Sequence, residues 1–150
     1  MNDNPTDEAN DTDEATVTPD GFAALGLRDE LLKALDELGY EEPTPIQRET
    51  IPLLLTGRDL LGQAATGTGK TAAFALPALQ MIDAQMRKPQ VLVLVPTREL
   101  AVQVADSFKT YGKHLKVSRA VVFGGVSIGK QIDILRGGVD VVIATPGRLV

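Results

Sequence analysis

Apolar residues follow two different rhythms along the chain. Between residues 22 and 55 they recur at helical spacing. Leu27, Leu31, Leu35 and Leu38 define one face, and Arg28, Asp29, Glu30, Lys33, Asp36 and Glu37 define the wet one. Gly39 is placed to stop that helix. Pro43 and Pro45 hold the next residues extended. A second helix is expected from Pro45 to about Leu55, with Thr44 as its N-cap. After Gly57 the rhythm changes to alternating strands and helices. Asp59 to Gly62 reads as a short strand and Thr71 to about Met86 as a helix, bent at Pro77. Val91–Val95 reads as a buried strand with no polar face. Arg98 to about Tyr111 reads as a helix carrying Leu100, Val104, Phe108 and Tyr111 on one side. Val117–Phe123 is expected as a strand, Ser127–Leu135 as a helix and Val139–Ala144 as a second wholly apolar strand.

Strands almost without polar positions, alternating with helices, imply a mostly parallel sheet covered on both faces. The expected fold class is therefore α/β. Ligands of such sheets sit at the carboxyl ends of the strands. The turns at those ends are Ala64–Lys70, Pro96-Thr97-Arg98, Gly124-Gly125 and Thr145-Pro146-Gly147-Arg148. Four polar or glycine-rich turns along one edge suit a single continuous site.

Charge changes this picture only at the N-terminus. The net charge is −5, yet residues 1–20 hold seven Asp or Glu and no Lys or Arg, and the rest carries 15 basic and 13 acidic residues. Residues 1–21 are expected to form a disordered acidic tail, and residues 22–150 the folded unit. A remainder so nearly balanced neither excludes nor demands a nucleic-acid partner; a basic footprint must come from clustering. The absence of cysteine rules out disulfides and thiolate metal sites. No apolar run approaches a membrane span, and the N-terminus lacks the basic and apolar regions of a signal peptide. A cytoplasmic chain without a membrane partner is expected.

The candidate chemistry centres on Gln63-Ala64-Ala65-Thr66-Gly67-Thr68-Gly69-Lys70-Thr71. Leu60-Leu61 precedes it and a helix-prone run follows, the context a phosphate-binding loop requires. Gly67 and Gly69 lack Cβ atoms, so the backbone can turn tightly and present N–H groups to an anion. The helix start adds unpaired N–H groups and a positive dipole end. Lys70 would supply a full charge to β- and γ-phosphates, and the Thr71 hydroxyl would ligate Mg²⁺. The general pattern has Gly six residues before the Lys, where this chain has Ala64. The plain alternative is a turn that caps a helix.

Arg98 and Arg148 each open a helix after a strand, beside Pro96-Thr97 and Thr145-Pro146. Thr hydroxyls, Arg and helix N-termini are phosphate-contact groups, and Gly124-Gly125 admits close backbone approach. Spacing alone leaves a second reading open, with Thr97 and Thr145 as N-caps, the arginines as surface charges and the glycines as ordinary turns. Glu99 reads as a first-turn helix acid. His114, the single histidine, has no obvious metal or nucleophile partner and reads as a surface residue. Met81 and Met86 read as packing, and Lys109, Lys113 and Lys116 as a solvated cluster at a helix end.

Taken together, these segments resemble the DEAD-box RNA helicases over Phe22 to Val150. Gly39-Tyr40-Glu41-Glu42-Pro43-Thr44-Pro45-Ile46-Gln47 is similar to that family's Q motif, and Phe22 lies seventeen residues before it, where the family has an isolated aromatic. Ala64–Thr71 is similar to motif I, in which Ala at the first position is normal. Pro96–Ala101 resembles motif Ia, Gly124-Gly125 the GG motif, and Thr145–Arg148 motif Ib. The resemblance implies part of a RecA-like lobe that binds ATP and Mg²⁺ and acts on RNA. The implied nucleotide-binding residues are Phe22, Tyr40, Thr44, Gln47, Ala65, Thr66, Gly67, Thr68, Gly69, Lys70 and Thr71. Gln47 would read the adenine edge, Tyr40 would stack on the base, and Lys70 and Thr71 would serve the chemistry. Pro96, Thr97, Arg98, Gly124, Gly125, Thr145, Pro146, Gly147 and Arg148 would line a single-stranded RNA track. Glu42 stands where many members carry a basic residue. The Asp-Glu-Ala-Asp segment, the Ser-Ala-Thr motif and the second lobe are not among these 150 residues. The expectation is an incomplete lobe, inactive by itself, with apolar strand edges left open. A fragment that only binds nucleotide or RNA, or another adenine-specific P-loop enzyme such as a DNA helicase, is the alternative.

Overall fold

The computed structural model describes residues 19–150. The expected tail lies outside the described residues except for its end: Pro19 and Asp20 are exposed, while Gly21 is buried and opens a 3-10 helix, Gly21–Leu25. The order that follows is α1 (Asp29–Glu37), α2 (Pro45–Leu55), α3 (Lys70–Met81), β1 (Val91–Leu94), α4 (Arg98–Tyr111), β2 (Arg119–Val122), α5 (Ile128–Arg136), β3 (Val141–Ala144) and α6 (Pro146–Leu149).

Local chemistry sets the helix ends. Asp29 and Glu30 lie in the first turn of α1, where acids complement the dipole. At its other end the Tyr40 N–H donates to the Leu35 carbonyl at 2.9 Å and the Gly39 N–H to the Asp36 carbonyl at 2.9 Å. That closure places Gly39 at positive φ, as the stop signal required. Thr44 stands at the N-cap of α2 with Pro45 following. Helix α3 accommodates a fully buried Pro77 and ends at Met81, short of the expected Met86. Ile82 turns extended and is buried, and the Gln90 side chain then closes a turn by bonding both the N–H and the carbonyl of Asp83 at 2.9 Å. Met81 and Met86 are consequently exposed rather than packed.

The sheet is parallel with order β1-β3-β2 and registers Val93↔Ile143 and Val121↔Ile143. Alternation along the strands divides its faces. Val141 and Ile143, with Val91, Val93 and Val121, meet the main core, built from Phe22, Leu31, Leu35, Ile51, Leu76, Leu79, Val104 and Phe108. Full burial of a residue such as Leu76 or Leu79 stabilises the fold by about 1.5–3 kcal/mol. The opposite face, Ala120, Val122, Val142 and Ala144, is covered by Leu135 of α5. Central β3 is buried throughout, as its composition predicts.

Three further expectations need correction. Residues 59–62 are not a strand: they pair with nothing in the sheet, and Leu60 and Leu61 are exposed. An extended segment without a ladder partner leaves its backbone to water. Strand β1 is half-buried on one face and open on the other, with Leu92 55% and Leu94 54% exposed, because α5 covers β2 and β3 but not β1. Leu38 and Leu100 also leave the faces assigned to them and lie partly in solvent; α4 packs through Ala101, Val104, Ala105, Phe108 and Tyr111 instead. Among the described residues no helix is long and apolar enough to cross a membrane.

Candidate functional site

The residues singled out by sequence fall into three groups. The first is the loop before α3. Gly67 and Gly69 adopt φ of +80° and +83°, a region that other residues enter only with strain. Gly69 is the N-cap of α3, so the free N–H groups of that helix open onto the loop. The loop closes on itself: the Thr68 hydroxyl donates to the Ala65 carbonyl at 2.6 Å, and the Lys70 ammonium donates to the Ala64 carbonyl at 2.7 Å. Ala65, Thr66, Gly67 and Lys70 are exposed, and Thr71 is half-buried.

Gln47 joins this loop from the start of α2. It is 3% exposed. Its Oε1 accepts the Thr44 N–H at 3.0 Å, and its Nε2 donates to the Gly69 carbonyl at 3.1 Å. The first bond is half of a capping box. In the other half the Thr44 side chain faces the Gln47 backbone N–H in the reciprocal arrangement, although buried Thr44 Oγ1 makes no hydrogen bond of full geometry. A Cβ on Gly69 would stand 2.3 Å from Gln47 Nε2 and 3.3 Å from Thr44 Oγ1. The glycine is therefore required twice, by its backbone angle and by the side chain lying against it.

The second group is aromatic. Phe22 and Tyr40 lie with ring centroids 6.2 Å apart, and Tyr40 meets Tyr111 edge-on at 6.1 Å. Phe22 is buried in the core and Tyr40 is 40% exposed. They line a cavity of about 290 Å³ with Leu35, Asp36 and Glu41. Glu42 also borders it and forms an ion pair with Arg48.

The third group gathers the turns at the carboxyl ends of β1, β2 and β3. Thr97 caps α4, its Oγ1 accepting the Leu100 N–H at 3.2 Å. The Arg98 guanidinium sits 4.7 Å over the Phe123 ring, a cation–π contact. A Cβ on Gly125, at φ +84°, would come within 3.1 Å of the same guanidinium. Arg148 donates to the Val126 carbonyl at 3.1 Å and to Gln131 Oε1 at 3.3 Å, while Gln131 Nε2 donates to the Phe123 carbonyl at 3.0 Å. Thr145 is at the N-cap of α6 without a side-chain bond. Pro96, Pro146 and Gly147 are exposed beside these groups, and Gly124 is half-buried. The two arginines thus frame one turn, residues 123–126.

Several contributors escape a sequence reading. Gln131 and Phe123 hold the arginine turn, and nothing in their local pattern marks them. Asp140 is buried at the opposite end of the sheet, its carboxylate accepting the Ser118 N–H at 2.9 Å, the Ser118 hydroxyl at 3.1 Å and Gln90 Nε2 at 3.3 Å. A lone Asp between a glycine pair and an apolar strand is the available signal. His114 lies against α1: its Nε2 is 3.1 Å from Glu37 Oε1, and Lys113 pairs with the same carboxylate. Lys113, then His114, hold the Glu37 carboxyl below the usual carboxylate range.

Comparison with known proteins follows the same segments. Residues 44–150 match the DEAD/DEAH box helicase family. The chain is 54% identical over 129 residues to the ATP-dependent RNA helicase DeaD of Escherichia coli, covering 85% of this chain and 20% of the relative. It is 48% identical over 128 residues to the DEAD-box ATP-dependent RNA helicase CshA of Bacillus cereus, covering 85% and 24%. It therefore spans about a fifth to a quarter of the length of these relatives. A DEAD box protein from Methanococcus jannaschii superposes with a TM-score of 0.78 at 39% identity, covering 86% of this chain and 35% of that one. Dbp5 of Saccharomyces cerevisiae, bound to RNA and ADP BeF3, superposes with a TM-score of 0.78 at 34% identity, covering 87% and 33%. On the match of most of its length, and on relatives at this level of identity, the chain belongs to the DEAD/DEAH box helicase family.

Proposed function

We propose that this chain grips ATP and single-stranded RNA in an ATP-dependent RNA helicase, and that the whole protein unwinds or remodels RNA. The observation carrying this reading is the hydrogen bond from Gln47 to Gly69, which joins a buried carboxamide to the glycine loop. A base reader and a phosphate cradle must lie within one nucleotide's length of each other, and these two touch. Gln47 retains one N–H and one lone pair after its two bonds. That is the donor–acceptor pair that adenine's N7 and N6 amino group require. Tyr40, in contact with Phe22 and Tyr111, offers the base a partly exposed ring.

The loop fits a triphosphate. Positive-φ glycines allow its backbone to turn tightly, the start of α3 adds its dipole, and the Lys70 ammonium already bonds a loop carbonyl. On binding, Lys70 exchanges the Ala64 carbonyl for phosphate oxygens. Among the described residues no three His, Cys, Asp or Glu side chains gather to bind a metal. Thr71 Oγ1, following the loop lysine, would hold Mg²⁺ together with phosphate oxygens, where the ion would neutralise charge on the transferring group. The RNA strand would run along the three carboxyl-edge turns. Arg98 and Arg148 would contact its phosphates, and Gly124-Gly125 would let the backbone approach it. The Dbp5 relative bound to RNA and ADP BeF3 supports this pairing of ligands.

Calorimetric titration with ATP and GTP tests the reading. ATP should be preferred. Lys70→Ala should remove most affinity for ATP, since a phosphate cluster loses its fixed cation. Gln47→Ala should weaken ATP and leave the already poor GTP unchanged. Undiminished ATP binding by Lys70→Ala would overturn the phosphate-loop assignment, and equal losses of both nucleotides would overturn base reading by Gln47.

A further inference from the structure

The Tyr40 ring is held by more than its own segment. Its hydroxyl lies 3.1 Å from the Tyr111 hydroxyl, and this is the one side-chain hydrogen bond either phenol makes among the described residues. Tyr111 is the last residue of α4 and is 7% exposed, anchored in the main core. Tyr40 lies on the connection after α1 and is 40% exposed. The two residues are 71 positions apart, so the link exists only in the folded chain. Phe22 also packs near the Tyr40 ring, centroids 6.2 Å apart with a 32° tilt. An exposed aromatic on a connection would ordinarily sample several rotamers, and ordering it on ligand binding costs affinity.

We infer that Tyr111 is a positioning residue for nucleotide binding: its hydroxyl and ring edge hold Tyr40 in the orientation in which that ring receives the base. This rests on the reading of Tyr40 as a base-stacking residue. Burial, and then the neighbouring Tyr40 hydroxyl, hold the Tyr111 phenol well above its usual value. The Tyr111 hydroxyl therefore stays protonated through the physiological range. The ring–ring contact and the hydroxyl bond act on the same degree of freedom, the χ1 and χ2 of Tyr40. Removing either hydroxyl frees it without touching Gln47, Lys70 or the loop. The effect should appear in the base-dependent part of nucleotide affinity and be absent from the phosphate-dependent part.

The probes are ATP and inorganic triphosphate, titrated calorimetrically into wild type, Tyr111→Phe, Tyr40→Phe, the double variant and Tyr40→Ala. Loss of one hydrogen bond corresponds to a fall of about 2- to 10-fold in ATP affinity. Tyr111→Phe and Tyr40→Phe should each show that fall, leave triphosphate affinity unchanged, and show no further loss when combined. Tyr40→Phe removes the same bond from the exposed side, so a folding defect at the buried position is recognised by disagreement between the two. Additive losses, unchanged ATP affinity in both variants, or equal losses for ATP and triphosphate would overturn the inference. Tyr40→Ala separates the levels. If it leaves the gap between ATP and triphosphate intact, base stacking by Tyr40 fails and the inference with it. If it closes the gap while Tyr111→Phe leaves the gap unchanged, the inference alone fails.

Discussion

Gly69→Ala offers the sharpest test of the junction between Gln47 and the loop. Two costs are separable in it. The backbone sits at φ +83°, so any L side chain pays the left-handed penalty of about 1–2 kcal/mol. In addition, the new Cβ would lie 2.3 Å from Gln47 Nε2, so the carboxamide must leave. Gln47 is 3% exposed and holds two bonds, to the Thr44 N–H and the Gly69 carbonyl. Displacing it breaks one or both bonds and leaves a buried amide short of partners, about 1–3 kcal/mol more. Gly67→Ala is the internal control. It shares the backbone cost, at φ +80°, but its Cβ would meet nothing within 4 Å. Urea unfolding monitored by circular dichroism should place Gly69→Ala about 1–3 kcal/mol below Gly67→Ala. In a Gln47→Ala background the difference should largely vanish, since the clash partner has gone. Equal destabilisation by the two substitutions, or a gap that persists without the Gln47 side chain, would refute the reasoning.

Further outcomes follow from other parts of the structure. Arg98→Ala and Arg148→Ala should each lower RNA affinity similarly across sequences and flatten its salt dependence, by about one unit of log–log slope for each phosphate no longer neutralised; altered sequence preference at an unchanged slope would speak against backbone recognition. Asp140→Ala strands the Ser118 N–H and hydroxyl and the Gln90 amide at the foot of the sheet, and should cost about 2–4 kcal/mol in denaturant unfolding. The Glu37 carboxyl is held below its unfolded value by Lys113 and then His114, so its contribution is present above the ordinary carboxylate range and lost as pH falls through the depressed folded value. Glu37→Gln should remove that part of the acid limb in a melting series from pH 7 to about pH 3, with a small amplitude because the cluster is solvent-screened; an unaltered acid limb would show that the cluster contributes nothing.

What the sequence determined by itself was what is local. Apolar positions at helical spacing place α1, and Gly39 ends it, because both the periodicity and the left-handed stop are properties of a few consecutive residues. The Gly67–Lys70 loop, the Thr44-Pro45 and Thr97 helix starts and the wholly apolar β3 are legible for the same reason, as is the parallel α/β class that follows from their alternation. What the tertiary structure decided were pairings between distant segments. Leu60-Leu61 has the composition of a strand, but a strand exists only where another supplies its ladder, and none among the described residues does. Leu92 and Leu94 match Val142 and Ala144 in register and character, yet only the latter pair lies beneath α5. Phe123 reads as a strand end until Arg98 is seen over its ring, and Gln131 reads as a polar helix residue until its amide is seen bridging that turn to Arg148. Gln47 carries the signal of a capping box, but its bond to Gly69 spans 22 residues and Tyr40's to Tyr111 spans 71. Hydrogen bonds and burial at such separations depend on how helices and strands stack, which no window of sequence contains.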